Sequence, residues 1–118
     1  MSAIIPPGRR VYVLGKHALL EDLGAVARRA YVEDIPLVIL SLGYPVSRRQ
    51  QAIVDEALAL AGELRIRLDV RLVTSLEQLP AMLAEGDEVA VLSSGFERLR
   101  LEWLLRERLE QRERVVQL

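Results

Sequence analysis

The chain has 118 residues, the length of a single domain with one buried core, and 51% of them are hydrophobic against 28% charged, which excludes an intrinsically disordered chain. With 16 basic and 17 acidic side chains the formal net charge is -1, so the overall field offers no pull on a polyanion, and neither a nucleic-acid nor a membrane partner is expected. The absence of cysteine excludes disulfides, thiol nucleophiles and cysteine-held metals.

Residues 1–8 read as an N-terminal tail and residues 9–118 as one domain. The tail, Met1-Ser2-Ala3-Ile4-Ile5-Pro6-Pro7-Gly8, has neither the charged start nor the apolar length of a signal peptide. The longest apolar stretch, Ile35 to Val46, is broken by Pro36, Ser41, Gly43 and Pro45 and cannot span a bilayer. The cytoplasm is the expected compartment.

Arg9-Arg10-Val11-Tyr12-Val13-Leu14-Gly15 is a β-branched and aromatic run stopped by glycine, and it predicts the first strand. Leu19, Leu20, Leu23, Val26, Ala27 and Ala30 then recur at three- and four-residue steps with charges between them. That period predicts the first helix, despite the cost of about 1 kcal/mol for an interior Gly24. Pro36 to Gly43 is almost continuously apolar, as a strand covered on both faces would be.

Tyr44-Pro45-Val46 makes a turn, and Ser47 with Gln50 fits a capping box that opens a second helix, whose buried stripe is Ile53, Ala57, Leu60, Ala61 and Leu64. Arg65 to Val73 alternates, with Ile66, Leu68, Val70 and Leu72 on one side and Arg65, Arg67, Asp69 and Arg71 on the other, which predicts a strand near a sheet edge. A third helix starts at Ser75 or Leu79 and runs to Glu85, Ser75 and Gln78 offering a cap and Pro80 favouring a first turn. Asp87 to Leu92 predicts the fourth strand, closed by Ser93-Ser94-Gly95. A fourth helix over about Phe96 to Arg112 carries a wide apolar face of Phe96, Leu99, Leu101, Trp103, Leu104, Leu105 and Leu109, with Trp103 expected to pack on the sheet. Arg114 to Leu118 adds a fifth strand.

Such strand-helix alternation predicts an α/β fold, a three-layer α/β/α sandwich around a five-stranded, mainly parallel sheet. Ligands of open parallel sheets sit beyond the carboxyl ends of the strands. There Gly15, Lys16 and His17 bring together a permissive backbone and the only lysine and histidine of the chain, and Ser93, Ser94 and Gly95 add hydroxyls before a helix. With Ser41 at the end of the second strand, these seven residues are the ligand-binding candidates, and an anion such as phosphate is the chemistry they suit. The same residues also suit ordinary turn and cap roles. No catalytic residue is assigned, because the one histidine lies in a different loop from the serines with no acid placed to orient it. No metal site and no P-loop or dinucleotide fingerprint is present either.

The whole chain resembles the universal stress protein family in a shortened form. The likeness runs through Arg10-Val11-Tyr12-Val13, the helix with Leu23-Gly24-Ala25-Val26-Ala27-Arg28-Arg29-Ala30, then Leu37-Val38-Ile39-Leu40. It continues through Ile66 to Val73, Glu77-Gln78-Leu79-Pro80-Ala81-Met82-Leu83, Asp87 to Ser94 and Arg114-Val115-Val116-Gln117-Leu118. The resemblance implies a strand order 3-2-1-4-5, a role in stress response or regulation, and homodimers paired through the last strand, which makes Val115, Val116, Gln117 and Leu118 interface candidates. The family's ATP-binding branch carries an aspartate after strand one and a G-x2-G-x9-G-[S/T] motif after strand four. Leu14 or Gly15 stands at the first position, and the motif's last pair would fall on Leu105-Arg106 or Arg106-Glu107, where long side chains replace glycine. No cofactor is therefore expected, ATP included. The expected function is a non-catalytic domain acting through homodimerisation and through binding of a protein partner or small ligand; the alternative is a nucleotide- or phosphate-binding sensor at the carboxyl ends of strands one and four.

Overall fold

The computed structural model describes residues 9–43 and 46–118; the expected tail over residues 1–8, and Tyr44 and Pro45 of the expected turn, lie outside the described residues. Four strands form one parallel sheet: β1 (Arg10–Leu14), β2 (Leu37–Leu42), β3 (Leu68–Val73) and β4 (Glu88–Leu92), in the order β3-β2-β1-β4. The helices α1 (Leu20–Glu33), α2 (Arg48–Leu64), α3 (Leu79–Met82) and α4 (Gly95–Arg108) connect and cover them.

The two-residue period of the strands divides the core. Val11, Val13, Val38, Leu40, Val89 and Val91 meet Leu79 of α3 and Leu101 and Leu105 of α4 on one face. Tyr12, Leu14, Leu37, Ile39, Ala90 and Leu92 meet Leu23, Val26 and Ala30 of α1 and Ile53 and Ala57 of α2 on the other. Because β1 and β2 carry apolar side chains toward both helix layers, they take the interior of the sheet. β3 takes an edge, where Arg71 and Leu72 are exposed.

The capping box of α2 forms as the sequence predicts: Gln50 N–H donates to Ser47 Oγ at 3.2 Å, and Ser47 N–H donates to Gln50 Oε1 at 2.9 Å. Gln50 is fully buried and does more than cap. Its amide Nε2 donates to the carbonyls of Leu14 at 3.1 Å and Leu42 at 2.7 Å, tying the carboxyl ends of β1 and β2 together.

Three expectations are corrected. The fifth strand is reduced to one parallel bridge between Val115 and Val89, with Val116 N–H donating to the Val89 carbonyl at 2.8 Å. Its cause is the 3-10 turn Arg112–Arg114, whose Arg114 guanidinium is bound to the carbonyls of Asp87 and Ala84, so the chain joins β4 late. The third helix is a 3-10 turn, Leu76–Gln78, leading into the single turn of α3, so Ser75 and Pro80 each act in a different part of the connection. Trp103 does not pack on the sheet. A helix lying on a sheet buries one stripe, here Leu101, Leu105 and Leu109, and Trp103 stands about 200° round the axis from Leu101.

At the amino ends of β1 and β4, Asp87 is 1% exposed. It accepts from Arg9 N–H at 3.1 Å, from Arg9 Nη2 at 2.9 Å and from Ala84 N–H at 2.8 Å. Desolvation pushes its carboxyl up, but the Arg9 side chain, the Ala84 and Arg9 amides and the Arg9 charge together outweigh that and hold it below the usual aspartate value. Among the described residues no helix is long and apolar enough to cross a membrane.

Candidate functional site

β1 lies between β2 and β4, so the loop after β1 and the loop after β4 meet at the carboxyl edge of the sheet. Gly15 N–H donates to the Leu92 carbonyl at 3.1 Å and extends the β1–β4 contact into the loop. Gly15 is buried, and a Cβ on it would collide with the Glu97 carboxylate and stand 3.1 Å from Ser93 Oγ. Only glycine permits this approach.

Ser94 and Glu97 have the Ser-x-x-Glu spacing of a capping box, whose side chains ordinarily close on their own helix. Here both reach across to the backbone of His17 instead. Ser94 Oγ donates to the His17 carbonyl at 2.6 Å and makes no cap bond, while His17 N–H donates to Glu97 Oε1 at 2.9 Å. The Ser93 hydroxyl donates to the same Glu97 oxygen in a short bond. Gly95 starts α4 at φ +62, a left-handed conformation that favours glycine and turns the chain so that Glu97 faces the β1 loop.

Desolvation pushes the Glu97 carboxyl up, but the Ser93 hydroxyl, the His17 and Lys16 amides and the charge of His17 prevail and hold it below the usual glutamate value. Glu97 is therefore a carboxylate at neutral pH. Beyond it lies an open cleft of about 790 Å³ lined by His17, Ser94, Gly95, Phe96, Glu97, Leu99 and Arg100.

Of the seven candidates, the structure gathers Gly15, His17, Ser93, Ser94 and Gly95 around Glu97. Lys16 contributes its backbone there, while its exposed side chain extends toward Gly43 at the end of β2. Ser41 pairs in register with Leu14, is buried, and has a hydroxyl with no hydrogen-bond partner; it does not line the cleft. Sequence reading missed Glu97 and the second task of Gln50. The capping-box spacing to Ser94 was the available signal for Glu97, but its partners lie in a loop 80 positions away.

The other feature of this edge is on α4. Phe96, Leu99 and Trp103 are 92%, 58% and 60% exposed, at three- and four-residue steps along one side of the helix. The interface candidates near the C-terminus are engaged within the chain. Val115 is buried against β4, Val116 and Leu118 pack on the core, and Gln117 Nε2 donates to Glu102 Oε2 at 2.7 Å.

No family model matches the chain, and no curated sequence matches it either. A solved crystal structure of a universal stress protein in complex with cAMP matches at a TM-score of 0.52 and 16% identity, over 94% of this chain and 97% of that one. The fold is universal-stress-like. In this universal-stress-like sheet, α4 begins at Gly95, directly after Ser93 and Ser94. Leu105 of α4 is buried in the core, and the Glu97 carboxylate fills the space beside the β1 loop.

Proposed function

We propose that this chain is a non-catalytic, universal-stress-like domain that acts in the cytoplasm by association, as a homodimer that also engages a protein partner or small ligand. The observation that carries this reading is the exposed apolar row Phe96, Leu99 and Trp103 on α4. Its 3-4 spacing is that of a helix-helix seam, and large aromatic side chains standing in water are the usual anchors of an interface. Arg100 and Glu107 flank the row with opposite charges, which suits a second copy of the same helix. The C-terminal segment serves this role less well, because its side chains are already spent on β4 and Glu102.

The commitments of the two serine hydroxyls among the described residues support the non-catalytic part. The Ser94 hydroxyl is bound to a backbone carbonyl and that of Ser93 to Glu97, so neither serine faces the imidazole of His17 as a base.

Light scattering is expected to show a dimer for the native chain and a monomer for Trp103→Glu. The variant should melt below the native protein and at a temperature that no longer rises with protein concentration, since the dimer's mass-action stabilisation is lost. A native monomer, or a variant that stays dimeric, would remove α4 as the interface.

The open cleft and the cAMP complex of the structural neighbour favour a second reading, a nucleotide or phosphate sensor. Glu97 opposes it, because a phosphate approaching the β1 loop meets a carboxylate. A thermal-shift panel with ATP, ADP, AMP and cAMP is expected to leave the melting temperature unchanged, whereas a native-state ligand would raise it by mass action. A rise that Lys16→Ala abolishes would establish the sensor in place of the non-binding reading of this cleft.

A further inference from the structure

The knot at the carboxyl edge of β1 has the parts of an oxyanion site. The backbone N–H of His17 and the hydroxyl of Ser93, a residue 1% exposed, converge on one oxygen of a carboxylate, and the Lys16 amide also favours its charged form. Gly15 supplies the space by having no Cβ. What occupies the site is a side chain of the same molecule, and it arrives by giving up its usual place. Glu97 leaves the amide of Ser94, its capping-box partner, and takes the amide of a loop 80 residues distant. A carboxylate that only needed to cap α4 had a shorter route available.

We infer that Glu97 is a built-in ligand of an oxyanion site formed by the amide of His17 and the hydroxyl of Ser93, and that a free carboxylate or phosphate group binds there only when Glu97 is vacated. The site takes a small oxyanion because its donors meet on one oxygen, beside the open cleft that Glu97 lines. Coulomb repulsion keeps a second anion out while Glu97 is in place. The inference concerns the donors and Glu97 alone and holds whether or not α4 forms a dimer.

Chemical rescue tests it. Glu97→Ala leaves the His17 amide and the Ser93 hydroxyl without an acceptor, so the variant should melt below the native protein. Acetate or inorganic phosphate at roughly 100 mM should then raise its melting temperature by about 3–6 °C more than the same salt raises that of the native chain, with chloride at equal ionic strength as the reference. A response to both salts identifies a general oxyanion site, and a response to one identifies its preferred chemistry. The double variant Glu97→Ala, Ser93→Ala should lose most of the rescue. Equal responses in variant and native protein, or rescue undiminished in the double variant, would overturn the assignment. If the alanine variant does not fold without anion, its refolding yield in increasing acetate or phosphate, against chloride, gives the same comparison.

Discussion

Asp87→Ala is expected to lower the unfolding free energy by about 3 kcal/mol, measured by urea denaturation at neutral pH. The carboxylate is fully enclosed and takes two amides and a guanidinium, so its removal strands three donors at once. Arg9 is partly exposed, with 34% of its side chain open to solvent, and can turn to water, which keeps the loss below that of a wholly buried pair. The pH dependence gives a second measurement. Because the folded pKa of Asp87 lies below its unfolded value, its contribution is complete above the ordinary carboxylate range and is lost as pH falls through the folded value. The stability gap between native and variant should therefore be constant from neutrality down to about pH 5 and close progressively below it. A gap that does not change with acid would show that the Arg9 pairing is not what the carboxylate contributes.

Gln50→Leu should cost about 2–3 kcal/mol although it keeps the size of the side chain and adds apolar surface to the core. The loss comes from three polar groups that lose a partner: the carbonyls of Leu14 and Leu42 and the N–H of Ser47. The first two are at the carboxyl ends of β1 and β2, so amide exchange should quicken there before it does at the opposite ends of the strands. A loss below about 1 kcal/mol would mean that water replaces the amide without penalty.

These two residues mark the limits of what could be read in the sequence. The strands β1 and β2 were legible because a strand that meets helices on both faces must be apolar at every position, and Val11 to Leu14 and Leu37 to Leu40 are. The cap of α2 was legible because its bonds span three residues, from Ser47 to Gln50. Gln50's bond to Leu14, 36 positions away, has no local signature, and neither has the salt bridge from Asp87 to Arg9. The edge of the sheet was misjudged for a related reason. Val115 to Leu118 has strand-like composition, but Arg114 is committed to the carbonyls of Asp87 and Ala84, and that geometry, set by the tertiary structure, leaves room for one bridge. On α4 the sequence offered more apolar residues than one sheet can cover. Which of them remain outside depends on the helix rotation that Leu101, Leu105 and Leu109 impose. Of the candidate site, the two loops were found and their organiser was not, because a glutamate in a first helical turn has an ordinary local explanation.

The two outer strands are guarded against further pairing by different means. At β3 the outer rim presents Arg67 and the exposed pair Asp69 and Arg71, joined at 3.1 Å, charges that a second strand could not cover without desolvating them. At β4 the bridge of Val115 and the bond of Val116 shield the rim with the chain's own backbone. A protein with half its residues hydrophobic thus places charge or its own backbone at the two edges from which aggregation would start, and a dimer of the kind proposed through α4 would leave both undisturbed.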